Sequence, residues 1–228
     1  EKFKTTRKHL SKKPKWFVFF DLSLKNAFRN EGNRAVDFNN NSIQDYIPCF
    51  EFISENGGES IVYGSTDNFL NYDKELSEIK HITYLKQTTK FSEILFFIEN
   101  CELFVSSSFG LHSIARELQK NICLVNIPLM RGFPIYEDAI ILPKLFFSIS
   151  SQKILNFEEI IKNEIIFLHN ENVLSMKGVS LLYNTRNEIR YCMMEALNSK
   201  KIEYNSLKVK NFENKFETIN KKHNLNIV

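Results

Sequence analysis

The chain has 228 residues, enough for one sizeable core. Its 43% hydrophobic and 25% charged content is that of a soluble globular protein, and no apolar run nears the roughly 20 residues that span a bilayer. A net charge of +3 is too mild to mark a nucleic-acid binder.

Residues 1–15 are basic and aperiodic and read as a tail or linker; the chain opens on Glu1, which suits a fragment of a longer protein. Lysines also crowd the other end, from Lys200 to Lys222. Such ends read as solvated termini, with weak attachment to an anionic membrane surface as the sharper alternative. Trp16 to Phe20 is a continuous apolar run ending at Asp21, as in a strand buried on both faces. Residues 22–41 read as a long loop. Ser42 with Asp45 forms a weak capping box for a helix through Tyr46, Phe50 and Ile53, provided Pro48 falls in its first turn, and Asn56-Gly57-Gly58 stops it.

A second strand covers Ser60–Tyr63 and closes at Gly64, and a third covers Ile82–Leu85. Phe91, Ile94, Leu95 and Ile98 mark a helix. Leu103–Val105 is a fourth strand, Ser106 to Gly110 a loop, and Leu111 to Leu118 a further helix. Ile122–Val125 is a fifth strand ended by Asn126 and Pro128; Arg131 lies in the loop that follows. Ile140–Leu142 is a short apolar segment before Pro143 and Lys144. Helices are expected near 157–162 and, opened by a Thr185/Glu188 capping box, through Ile189, Met193, Met194 and Leu197. Residues 199–228 form a charged helix or tail. This alternation predicts an α/β fold, a Rossmann-like parallel sheet with helices on both faces, over 16–198.

Ligands of open α/β sheets bind outside the carboxyl ends of the strands. There the informative stretch is the serine-rich turn Ser106-Ser107-Ser108 with Gly110, running straight into a helix. Free amides and the positive dipole end favour an anion such as a diphosphate; an ordinary capped turn is the plainer reading. Asp21, Gly64, Asn126, Arg131 and Lys144 fall at corresponding places, each of them explicable alone as a cap, turn or surface charge. His112 is expected to be exposed. The histidines lack metal-ligand spacing, and Walker, G-x-G-x-x-G and G-x-S-x-G patterns are missing. Cys49, Cys101, Cys123 and Cys192 are far apart in apolar contexts, and read as buried thiols of a reducing cytoplasm.

Several stretches, in order, resemble the C-terminal region of a family of bacterial glycosyltransferases from surface-polysaccharide loci. That family runs R-N-S-D-I, a Tyr, V-I-R-M-G, C-(x)-F, S-G-L, a V-N step and I-P-K. Here the matching residues are Asn39-Asn40-Asn41-Ser42-Ile43 with Tyr46, then Ile61-Val62-Tyr63-Gly64, Cys101-Glu102-Leu103-Phe104 and Phe109-Gly110-Leu111. Val125-Asn126, Leu142-Pro143-Lys144 and Asn184-Thr185 with Glu188 complete the series. The family's arginines fall at Asn39 and Val62, its first-strand His and Arg at Phe19 and Phe20, and its S-G-L serine at Phe109.

The resemblance implies the C-terminal, donor-binding half of a GT-B enzyme, whose partners are a nucleotide-sugar and a glycan acceptor, with no metal or cofactor. The general base would come from a separate N-terminal domain. It further implies Ser107, Ser108, Gly110 and Leu111 at the diphosphate, Lys144 for charge compensation and Glu188 at the ribose. Asp21, Gly64 and Asn126 complete the expected substrate-binding set. Loss of guanidinium groups removes bidentate donors and leaves a second reading open, a non-catalytic module that binds a glycan or partner. A nucleotide-sugar epimerase is a third, disfavoured by the missing dinucleotide fingerprint.

Overall fold

The computed structural model describes residues 16–22, 42–64, 76, 78–86, 88–107, 110–128, 139–168 and 171–198. The basic ends, Ser108, Phe109, Arg131 and Asn39 lie outside them. Strand β1 (Phe17–Leu22) is buried along its whole length. It pairs in parallel with β2 (Glu59–Gly64) on one side and with β4 (Leu103–Ser106) on the other. Strand β3 (Ile82–Leu85) pairs beyond β2, β5 (Asn121–Pro128) beyond β4, and β6 (Ala139–Ser148) beyond β5. The order β3-β2-β1-β4-β5-β6 reverses direction between β1 and β4, which creates a switch point at their carboxyl ends.

Period-two alternation sends successive side chains to opposite cores. Val18, Phe20 and Leu22 join Val62, Leu103, Val105, Cys123 and Val125 on one face. There they meet Cys49, Phe50 and Ile53 of α1 (Ile47–Glu55) and Ile189, Cys192 and Met193 of α6 (Arg186–Asn198). Phe17, Phe19, Ile61, Phe104, Ile122 and Leu124 occupy the other face. They pack under α2 (Phe91–Asn100) and α3 (Leu111–Glu117). Rings order both cores: Phe19 stacks on Phe104 at 5.6 Å, and Phe20 meets Phe50 edge-on at 5.0 Å.

Local chemistry sets the ends. The Ser42/Asp45 capping box forms, opening a 3-10 turn (Ile43–Tyr46) rather than the helix itself; α1 then begins with Pro48 in its first turn. Gly58 is required where the chain leaves α1 for β2, since a Cβ there would lie 2.7 Å from the Trp16 ring.

Two expectations are corrected by β6. The short apolar segment at 140–142 is part of a ten-residue strand, and Pro143 and Lys144 lie within it rather than after it. Pro143 stands where β6 changes partners, from parallel pairing with β5 to antiparallel pairing of Leu145–Ser148 with β8 (Val179–Leu182). At such a changeover a missing N–H is tolerated. A two-residue strand, β7 (Lys153–Ile154), pairs antiparallel with the end of β6. This extension, with α4 (Phe157–Lys162) and α5 (Glu171–Met176), encloses a third core of Phe146, Ile160, Ile161, Ile165, Ile166, Leu174 and Val179.

The four cysteines are free and buried. Burial pushes the Cys49 thiol up and that of Cys101 to about 12, and contact with the Cys192 thiol, then burial, raises that of Cys123, so all three stay protonated. Among the described residues no helix is long and apolar enough to cross a membrane.

Candidate functional site

The carboxyl edge of the sheet carries a row of buried polar residues, and the ladder register shows how they line up. Asp21 stands opposite Tyr63 of β2 and Ser106 of β4. Ser106 stands opposite Leu124, two residues before Asn126, and Pro128 stands opposite Lys144. Gly64 lies outward of this row, opposite Leu22. Asp21 is only 1% exposed, and Ser106 Oγ donates to its Oδ2 at 3.2 Å. Burial, and secondarily the Asp21 charge, raises the Tyr63 phenol pKa.

The turn into α3 differs in detail from expectation. Gly110 has φ +149°, a conformation that side chains rarely adopt, and nothing lies within 4 Å of where its Cβ would stand. Its N–H donates to His112 Nδ1 at 3.1 Å. His112, expected at the surface, is instead buried, because its ring folds back to satisfy the helix's own first amide. Leu111 opens α3 just beyond.

Asn126 is the most constrained residue of the edge. The β5–β6 register shifts around it, and it takes φ 56°. Such a bulge re-aims a side chain, and left-handed backbone outside glycine persists only where surroundings enforce it. Here Asn184, in the segment before α6, enforces it. The Asn126 N–H donates to Asn184 Oδ1 at 2.8 Å, and the Asn184 N–H donates to Asn126 Oδ1 at 2.7 Å. Asn184 Nδ2 also donates to the Pro143 carbonyl at 2.9 Å, tying β5, β6 and the start of α6 together.

One residue beyond Pro143, Lys144 is 1% exposed, and its Nζ lies 3.8 Å from the centroid of the Tyr183 ring. A cation over an aromatic face gains electrostatic stabilisation, which offsets part of its desolvation. Lys144 is thus a buried cation at the sheet edge, not the loop charge that its place after a short apolar run suggested.

Glu188 sits in the first turn of α6, where Oε2 accepts from both Thr185 N and Thr185 Oγ1 at 2.7 Å. Those bonds hold its carboxyl pKa below the ordinary value of 4.5. The structure therefore gathers Asp21, Ser107, Asn126 and Lys144 along one edge, with Gly110 and Leu111 at the adjoining helix start, and keeps Glu188 on the exposed end of α6.

Tyr46, Tyr183 and Asn184 were not among the site residues expected from sequence. Tyr46 read as a helix-stripe residue, and it and Asn184 otherwise entered only as matches in the family resemblance. Tyr46 is fully buried beside Ser107, and burial raises its phenol well above the ordinary range. Neither hydroxyl closes a hydrogen bond of good geometry among the described residues. No group of three His, Cys, Asp or Glu is placed to hold a metal ion among them.

No family model matches the sequence, and no curated protein matches it. Among solved structures, the Escherichia coli ADP-heptose LPS heptosyltransferase II is similar with a TM-score of 0.46 and 15% identity, over 63% of this chain and 42% of that one. The UDP-GlcNAc 2-epimerase of Methanocaldococcus jannaschii gives 0.44 and 14%, over 85% and 48%. The Staphylococcus aureus MnaA–UDP structure gives 0.43 and 8%, over 88% and 39%. The chain thus spans less than half the length of each. At these scores the likeness carries no functional assignment.

Proposed function

We propose that the chain is the donor-binding half of a glycosyltransferase that transfers a sugar from a nucleotide-sugar to a glycan acceptor. The observation that supports this reading best is the row of buried polar groups at the switch-point edge, with one buried cation, Lys144, at its end. Edges of this kind are where open α/β sheets take their ligands.

In the proposed reaction the bond from the sugar's anomeric carbon to the diphosphate breaks, and the electron pair leaves with the diphosphate. Lys144 offsets that developing charge, without a metal, and the hydroxyls of Ser107 and Ser108 with the amides around Gly110 and Leu111 orient the phosphates. The buried Asp21 carboxylate accepts hydrogen bonds from sugar hydroxyls, Asn126 donates to the donor, Glu188 meets the ribose, and Gly64 leaves room beside β1. The acceptor's base belongs to a partner domain. The basic ends are the proposed contact with an anionic membrane surface at the cytoplasmic side.

One observation favours the second reading, a non-catalytic binding module. Val62, at a position where the resembled family carries arginine, is wholly buried in the core under α1 and α6, so no cation reaches the edge from there. Thermal unfolding with UDP, GDP, CDP, dTDP and ADP separates the two. A bound nucleotide at about 100 times its Kd adds about 2.7 kcal/mol of stability. A rise in Tm with one of them is expected; no rise with any would overturn the donor-binding reading in favour of the module.

A further inference from the structure

Register alone brings an aromatic ring onto the buried cation of the carboxyl edge. Leu145 and Leu182 form the last rung between β6 and β8. Two residues back along β6, the Asn184 Nδ2 bond to the Pro143 carbonyl at 2.9 Å ties the same two segments together. Lys144 and Tyr183 are the residues between these ties, one on each segment. Side chains opposite one another in antiparallel pairing share a face, with Cβ atoms about 4.5–5.5 Å apart. The Lys144 ammonium accordingly comes to rest 3.8 Å from the centroid of the Tyr183 ring.

Exposure is divided unequally within this pair. Lys144 is 1% exposed, whereas Tyr183 is 38% exposed. The ring meets the ammonium with one face and presents other surface to solvent. The backbone of Tyr183 is held from both directions, at Leu182 by the rung and at Asn184 by its bonds to Asn126 and Pro143. A ring held in this way leaves the ammonium by turning about its own side-chain bonds, with no strand displaced. The contact it gives up is weaker than the charge-assisted bonds that an anionic oxygen makes to an ammonium. A polyanion can therefore take its place.

We propose that Tyr183 is a cover over Lys144, turned aside when a phosphate oxygen of the nucleotide-sugar replaces it on the ammonium. This rests on the donor-binding reading above, in which Lys144 meets the diphosphate. With the ring in place the cation is shielded from water, and Tyr183 acts as its positioning residue. Only the open form binds an anion, so the cover lowers apparent affinity by the open fraction. It limits chemical access to the amine by that same fraction.

Tyr183→Ala and Tyr183→Phe test it by two readouts. Acetylation of the folded proteins with an N-hydroxysuccinimide ester, followed by mass spectrometry, reads access to the Lys144 amine. Lys153, whose side chain is 55% exposed, is the internal control. Calorimetric titration with inorganic diphosphate reads the anion. For an open fraction of about one-tenth, Tyr183→Ala should raise the labelling rate and the diphosphate affinity by the same factor, about 10-fold. Tyr183→Phe keeps the ring face and should match wild type in both. Should Tyr183→Ala fail to fold, Tyr183→Leu, which keeps bulk without a π face, carries the same comparison with a smaller rise. Unchanged labelling of Lys144 would overturn the cover. Faster labelling with unchanged diphosphate affinity would overturn the replacement of ring by phosphate. Absence of diphosphate binding in wild type and variants alike would sink the donor-binding reading and the displacement with it, while the labelling rates judge the cover on their own.

Discussion

Two glycines show how single residues constrain this chain for unlike reasons. Gly58 is held by a neighbour: an added methyl would meet three Trp16 ring atoms at 2.7–2.8 Å. Gly110 is held by its own backbone, since its Cβ position is open but its φ is +149°. Substitution by Ala should cost about 1–3 kcal/mol at either site, by overpacking in one and backbone strain in the other. Trp16→Leu separates the causes in a double-mutant cycle read by urea denaturation. The loss from Gly58→Ala should shrink in that background, and the loss from Gly110→Ala should not. Equal behaviour of the two would mean that the Trp16 contact does not set the requirement at Gly58. Asn126 belongs with these cases, but its left-handed backbone is secured by a partner 58 residues away, which no local pattern announces.

At the scale of elements, α6 depends on its first turn. The Thr185 N–H and hydroxyl both donate to Glu188 Oε2 at 2.7 Å, and the Glu188 N–H donates back to Thr185 Oγ1 at 3.3 Å. Thr185→Ala should destabilise the protein by about 0.5–2 kcal/mol. The cap also has a pH signature. Because the folded-state pKa of Glu188 lies below its ordinary 4.5, its contribution is present above that value and is lost as pH falls through the folded pKa. Stability measured on descending through this window should therefore drop less in Glu188→Gln than in wild type. Parallel pH profiles for the two proteins would show that the cap carries no ionic component.

This helix was legible in the sequence because its cap is local, as were β1 to β5, α1, α2 and α3, each a compact apolar pattern between breakers. The continuation of β6 was not. Pro143 and Lys144 read as a stop, and only pairing with β8, more than thirty residues on, carries the strand past them. β7 and α5 are too short to declare themselves, and β8 is a four-residue strand whose partners lie earlier in the chain. Asp21, Ser107 and Asn126 were legible as lying near strand ends, whereas Lys144, expected after a strand, lies within β6; its burial and the role of Asn184 depend on pairings made across the sheet.

At the scale of the molecule, the division of the apolar side chains among the described residues into three clusters predicts uneven cooperativity. β1, β4 and β5 are covered by helices on both faces and contribute to two cores at once. The third core is smaller and is joined to them chiefly through the length of β6, which serves the parallel sheet with its first half and the antiparallel extension with its second. Opening that extension should expose one small cluster and leave the other two intact, so it should require less free energy than global unfolding. Native-state hydrogen exchange followed against denaturant should show the amides of β8 and α4 exchanging through a sub-global opening. Those of β1 and β4 should exchange only with the whole. The groups of the carboxyl edge should divide accordingly: Asp21 and Ser107 lie in the unit expected to exchange slowest, whereas Lys144 sits at the junction and is tied to it by the bond from Asn184 to Pro143. Asn184→Ala should therefore speed exchange at the end of β6 while leaving β1 unchanged. Uniform exchange across all three clusters would mean that the extension is an integral part of a single folding unit.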